Sequence, residues 1–329
     1  MKLVSYKTED KEHLGIFVNG HIYNLNSCHK LIPDDMNAFL AGGEPLMERA
    51  KQVNRDILDG KLQPKEEVFY ELLAPVPHPT SCRDGYAFRQ HVAAARRNRK
   101  VDMIAEFDQY PIFYFTNHNA IQGPGEIECM PDHFQKLDFE LEVAVVIGKK
   151  GRNIKAAEAD EYIAGYTIMN DMSARTLQME EMLLNLGPAK GKDFSTVIGP
   201  WLVTPDELEP YKVAAKENHV GNAYNLSMTC KVNGIEVSSG NMADMDWTFA
   251  EIIERCAYGV DILPGDVIGS GTVGTGCFLE LNGTGLLNDP NYQVQWLQPG
   301  DHVEMEITGL GALSNNITKA ATDFSILAL

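Results

Sequence analysis

The alternation of apolar and polar positions is sharpest in "LDFELEVAVVIG", residues 137–148. A strand sends successive side chains to opposite faces, so Asp138, Glu140 and Glu142 would share one face. Leu137, Phe139, Leu141 and Val143 would share the other. The run VAVVI is apolar in every position, the pattern of a strand buried on both sides. Near the start, "HLGIFVNGHIYNLN" predicts a hairpin turning at Asn19-Gly20, a dipeptide suited to a two-residue turn. Helical spacing follows over 35–57. In "LLAPVPHPTS", Pro75, Pro77 and Pro79 interrupt regular structure and mark a boundary. The chain is thereby divided into a small N-terminal domain, 1–75, and a main domain, 76–329.

In the main domain, "DGYAFRQHVAAARRNRK" predicts a helix over 84–100, and a strand is expected at 112–116. A helix at 155–163 leads into the strand "GYTIMND", which ends on Asp171, and then into the helix "SARTLQMEEMLLN". The remainder reads as strands: VIGPWLVT, NLSMTCKVNGIEV, GDVIGSGTV, CFLELNG and DHVEMEITGLG, interrupted by the helix TFAEIIERCAYG. No repeat or low-complexity tract occurs. The pattern indicates an α+β fold with a mainly antiparallel or mixed sheet rather than regular βαβ alternation.

Composition narrows the partners. The 329 residues are 44% hydrophobic and 22% charged, with a formal net charge of -18. That acidity argues against sequence-independent binding to nucleic acid or to an anionic membrane. Six cysteines lie far apart without a C-x-x-C pair, which fits scattered thiols in a reducing compartment. No stretch approaches a membrane span and the opening residues lack a signal-peptide core, so a cytoplasmic protein is expected.

Two glycine motifs are rejected as nucleotide sites. "GSGTVG" (Gly269, Gly271, Gly274) satisfies G-x-G-x-x-G, but "CFLELNG" beyond it alternates like a strand, where a dinucleotide site needs a helix. "GPAKGKDFS" is one residue short of a phosphate loop, and Asp193 replaces the Ser/Thr that would hold magnesium.

The carboxylates carry the chemistry. An E-x-E pair on a half-exposed strand ordinarily faces water; otherwise it converges on a cation. Asp171 either caps the following helix or enters a site. Asp84 and His91, seven residues apart on the expected helix, would project from one face about 10 Å apart. "RRNRK" (96–100) reads as a solvated helical face before it reads as an anion clamp.

Together, "LDFELEVAVVIG", "GYTIMNDMSARTLQ", "LGPAKGKDFST" with "GPWLVT", and "RQH" resemble the fumarylacetoacetate hydrolase family in content, order and spacing, from about residue 75 to the end. The resemblance implies that family's α+β fold, a mixed β-sandwich or β-roll preceded by a small N-terminal domain, and a homodimer. It implies Asp84, Glu140, Glu142 and Asp171 as ligands of one divalent cation. His91 would be the general base, oriented by Glu280, with Lys192 stabilising an oxyanion. Tyr86, Arg175, Gln178 and Thr272 would contact substrate, and Thr196 would lie near the cation. Arg175 suits a substrate carboxylate, since a guanidinium can grip one in bidentate fashion. Two departures stand out: Met172 where fumarylacetoacetases proper have Trp, and Met182 where they place a substrate-contacting Tyr.

All-oxygen ligation suits a hard cation, Mg2+ first, with Ca2+ or Mn2+ as alternatives. The expected activity is hydrolytic cleavage of a C–C bond in a small-molecule 1,3-diketo acid, of the fumarylacetoacetate or acylpyruvate kind. The alternatives are a 2-oxo acid decarboxylase or dehydratase of the same family, and a non-catalytic protein in which the metal only ties strands together.

Overall fold

The structure is a computed structural model that describes residues 1–9 and 11–327. The first strands are β1 (Lys2–Thr8), β2 (Lys11–Val18) and β3 (His21–Asn24), followed by helices α1 (Met36–Ala41) and α2 (Gly43–Leu58). The hairpin turns at Asn19-Gly20 as expected: both take positive φ, and Val18 pairs with His21. The expected helix 35–57 is two helices, because Gly43, the first residue of the second, adopts a positive φ.

Next come β4 (Cys82–Gly85), α3 (Arg89–Asn98), β5 (Phe113–Thr116), β6 (Gly125–Cys129), β7 (Leu137–Asp138), β8 (Leu141–Ile147) and β9 (Ile163–Asp171). After them run α4 (Arg175–Leu183), β10 (Thr196–Val203), β11 (Ser227–Val232), β12 (Ile235–Asn241) and α5 (Phe249–Ala257). The chain continues through β13 (Val267–Gly269), α6 (Phe278–Asn288), β14 (His302–Ile307) and β15 (Gly311–Lys319).

One large mixed sheet runs β3-β2-β1-β10-β9-β8-β13-β4-β5, and a five-stranded sheet runs β12-β11-β14-β15-β6. The expected α+β class is what the structure has. β8 lies between two cores. Leu141, Val143, Val145 and Ile147 pack in a cluster with Met228, Val303 and Met305 of the second sheet and Phe249 of α5. Ala144 and Val146 pack on the other side with Leu3, Ile16 and Phe39. This two-sided burial is why VAVVI carries no polar residue. The first 75 residues also join the large sheet, where Lys2 and Leu3 pair with Val203 and Leu202.

Three local expectations are corrected. Asp84 does not begin a helix: it lies within a strand, and Ala87 and Phe88 turn into the core before α3 starts at Arg89. "CFLELNG" is not a strand but the first two turns of α6. The acidic strand is broken at Phe139 and Glu140, and Asp138, which meets Glu140 across the Arg175 guanidinium, stays outside the group of four carboxyls that Glu140 and Glu142 join.

Candidate active site and metal centre

Four elements deliver the carboxylates. Asp84 comes from β4 and Glu142 from β8, Glu140 from the break before β8, and Asp171 from the end of β9. Each offers an oxygen within 4.8 Å of the others, and all four are buried. The glycine motif explains how they fit. A Cβ on Gly269 would lie 2.4 Å from Asp84 Oδ1 and 3.0 Å from Glu142 Oε2, so only glycine allows this approach. The Gly271 amide donates to Asp84 Oδ1 (3.0 Å) and Glu142 Oε2 (3.2 Å). A helix does follow "GSGTVG", against the sequence-based expectation, but its first amides are taken. Phe278 N and Leu279 N donate to the Asp138 carboxylate, leaving no N-terminus for a phosphate.

Burial pushes the Asp84 carboxyl up to about 7, with Asp171 adding repulsion. Burial followed by Asp84 raises Glu142 well above the usual carboxylate range. Burial also raises Asp171, against the pull of Lys192. For Glu140 burial acts upward too, but Lys192 and then Arg175 outweigh it and hold the carboxyl at about 2. Lys192 is itself buried and donates to Glu140 and to Asp171 Oδ2 (2.7 Å). Tyr114 of β5 donates to the same Asp171 oxygen at 2.5 Å. Nothing in the sequence singled out Tyr114; its strand brings it beside the site because Asp84 pairs with it.

These residues fit a divalent cation. Asp171 Oδ1 is buried with no hydrogen-bond partner, and so is Thr196 Oγ1, on the residue paired with Asp171 across β9 and β10. Five buried carboxyls (the four plus Asp138) face two buried cations, Lys192 and Arg175. A hard ion with oxygen ligands would relieve that imbalance.

His91, in the first turn of α3, meets Glu280 of α6 through Nδ1 at 2.6 Å. The other Glu280 oxygen accepts from Thr275 N at 3.0 Å, which fixes the carboxylate. Tyr86 lies edge-on to His91, ring centroids 5.9 Å apart. Cys277, one of the scattered thiols, is buried beside His91 and Glu140.

Arg175 does not stand ready for a substrate carboxylate as expected. Its Nε donates to Asp138 Oδ2 (2.8 Å), Nη2 to Glu140 Oε1 (2.7 Å) and Nη1 to Gln178 Oε1 (3.0 Å). The guanidinium is committed to the framework. Thr272 likewise faces Glu142, at 3.4 Å. Met172 lies in the core, fully buried, whereas Met182 lines the cleft. The "RRNRK" side chains hold local partners: Arg96 the Asp102 carbonyl, Arg97 Thr284, and Arg99 the Ala95 carbonyl.

The dyad and Asp84 and Glu140 of the quartet open onto one cleft of about 740 Å³, which Tyr86, Arg175, Gln178, Lys192 and Thr272 also line. A profile of the fumarylacetoacetate hydrolase C-terminal domain matches residues 80–318. The chain belongs to the fumarylacetoacetate hydrolase family. Among relatives of this family is a human protein named "Oxaloacetate tautomerase FAHD2A, mitochondrial", 32% identical over 96% of this chain and 91% of its own length. The fold is shared with a fumarylacetoacetate hydrolase of Exiguobacterium antarcticum, at a TM-score of 0.68 and 22% identity, covering 97% of this chain and 100% of that one. It is also shared with a fumarylpyruvate hydrolase of Pseudomonas aeruginosa solved with Mn2+ and pyruvate, at a TM-score of 0.57 and 20% identity over 74% of this chain and 91% of that one. Among the described residues no helix is long and apolar enough to cross a membrane.

Proposed function

We propose that this family member moves a proton at the carbon beside the carbonyl of a 2-oxo acid, interconverting keto and enol forms. The observation that carries the reading is the His91–Glu280 pair placed next to the four carboxylates. The relatives named oxaloacetate tautomerases support it across almost the whole chain. Asp84, Glu140, Glu142 and Asp171 would hold the cation, Mg2+ in our reading with Ca2+ or Mn2+ as alternatives, and Thr196 would stand beside it. Once bound, that ion supplies Lewis-acid polarisation of the substrate's oxygens.

The chain's own residues do the rest. Glu280 accepts a hydrogen bond from Nδ1–H of His91, which leaves Nε2 as the base. Nε2 takes the proton from the carbon, the C–H electron pair becomes the C=C bond, the C=O π pair moves onto the oxygen, and Nε2–H then returns the proton to that oxygen, restoring the neutral imidazole. Lys192 holds positive charge beside that oxygen's growing negative charge. Tyr86 and Gln178 line the space where the substrate lies.

A second reading is hydrolytic C–C cleavage of a 1,3-diketo acid, in which His91 takes its proton from water instead. The size of the cleft favours it, because a four-carbon acid would leave much of the space empty. Following the ultraviolet absorbance of enol-oxaloacetate in the presence of Mg2+ tests the first reading. A panel of acylpyruvates analysed for two acid products tests the second, and release of carbon dioxide would point to decarboxylation. Silence in all three, and with monocarboxylate 2-oxo acids as well, leaves the carboxylates a structural metal site. We further propose a cytoplasmic homodimer; fractionation and the mass in solution decide both points, the human relative being named mitochondrial.

A further inference from the structure

We propose that the preferred substrate is a 2-oxo acid with one carboxylate and an apolar tail of several carbons. Met179 and Met182 of α4, Leu279 and Leu286 of α6, and Val294 and Trp296 would select for it. The inference rests on the 2-oxo acid reading of the same site.

The cleft has two unlike halves. At the inner end every cation is already paired: Lys192 with Glu140 and Asp171, Arg175 with Asp138, Glu140 and Gln178. A second carboxylate would find there no cation free of an acidic partner. The remaining cations of the lining, Arg99 and Lys136, are exposed at the mouth. A charge exposed to water offers an anion little. A short dicarboxylate is therefore poorly matched.

The outer half is apolar and wet. Met179, Met182, Leu286 and Val294 are 42%, 43%, 47% and 50% exposed while lining the cleft. Its two amides face inward on their own framework. Asn282 exchanges hydrogen bonds with the backbone of Gln295, and Asn98 donates to the Glu280 carbonyl. Neither asks for a polar tail. A volume of about 740 Å³ falls in the range of roughly 300–1,000 Å³ that holds a ligand much larger than a four-carbon acid. A tail running outward from the dyad would cover these side chains and remove them from water, which is the favourable term for such a ligand.

The test is calorimetric titration of the Mg2+-loaded protein with straight-chain 2-oxo acids, from 2-oxobutanoate to 2-oxodecanoate, with oxaloacetate for comparison. Kd should fall about threefold to fourfold per added methylene until the outer half is filled, the equivalent of ~0.8 kcal/mol per buried CH₂. Met182→Glu and Leu286→Glu, both at half-exposed positions where the fold tolerates charge, should flatten that dependence. A Kd independent of length, or oxaloacetate binding tighter than every tailed acid, overturns the inference and leaves the 2-oxo acid reading standing. Failure of all members to bind overturns the reading itself. Length dependence that survives both variants, with a changed oligomeric state, overturns the assignment of these side chains and gives the surface to a second copy of the chain.

Discussion

Two neighbours on β4, Arg83 and Asp84, enter two buried acidic regions that behave in opposite ways. Arg83 reaches Asp266, whose carboxylate accepts from Thr80 Oγ1 (2.6 Å), Ser81 Oγ (2.7 Å), Leu263 N (3.0 Å) and Arg83 Nη1 (3.2 Å). Asp84 reaches Glu140, Glu142 and Asp171, where carboxyls meet one another and an Asp171 oxygen has no partner. Burial is nearly equal, 2% exposed for Asp266 and 3% for Asp84, so burial does not separate the two. Satisfaction does. A buried carboxylate with every lone pair engaged completes a structure, while a group of them short of donors needs something more.

The comparison breaks first at Asp171. Asp171→Ala should weaken Mg2+ binding by more than the roughly 100-fold that loss of an outer partner can cost, and abolish turnover with it. Calorimetry reads the affinity; an unchanged value would mean that Asp171 serves only Lys192 and Tyr114. Next, His91→Ala should keep fold and metal but slow turnover by about 10²–10⁴-fold. Glu280→Gln should do part of that damage and add nothing in the double variant, since the two act as one unit. Wild-type turnover in His91→Ala would remove the proposed base.

On the satisfied side, Asp266→Ala should lower the unfolding free energy by about 3–5 kcal/mol, because Arg83 is left buried without its partner. Its Mg2+ affinity should not change; chemical denaturation and calorimetry on one sample check both. The smallest effect is in pH. In metal-free protein Asp84 keeps its proton to about 7, and Glu142 is raised well above the usual carboxylate range too, whereas unfolded carboxyls lose theirs near 4. The native state then binds more protons than the unfolded one, so stability falls as pH rises. Between pH 5 and 7 Asp84 alone should cost up to about 2–3 kcal/mol, Glu142 adds in the same direction, and saturating Mg2+ should remove the loss. Denaturation curves with chelator and with Mg2+ at both pH values decide, and a metal-free protein steadier at pH 7 would contradict the charge excess.

The parts of this molecule legible in the sequence are those where local chemistry and burial agree. VAVVI announces a two-sided core strand, Asn19-Gly20 a turn, and Asp171 a strand end that enters the buried carboxyl group. The misreadings fall where function reverses the pattern. In α6 the buried residues are Phe278, Glu280 and Asn282, so alternation imitated a strand while two polar residues turned inward. Glu280 does so to hold His91, and Asn282 to bind the Gln295 backbone. The spacing sets Asp138 on one strand face with Glu140 and Glu142, yet its carboxylate holds Arg175 and the start of α6. Tyr114 had no signal at all, because its importance arises from a strand partner far away in sequence.

The pairing of Lys2 and Leu3 with Val203 and Leu202 has a practical meaning for anyone shortening this protein. Trimming residues 1–75, which the proline-rich stretch invites, would strip one flank of β10 and bare Ala144, Val146 and Ile198 to solvent. Open hydrogen-bonding groups beside a freshly uncovered apolar face are a template for intermolecular strand addition. The trimmed product should therefore precipitate or form sheet-paired aggregates, even though it keeps all four carboxylates and the histidine dyad.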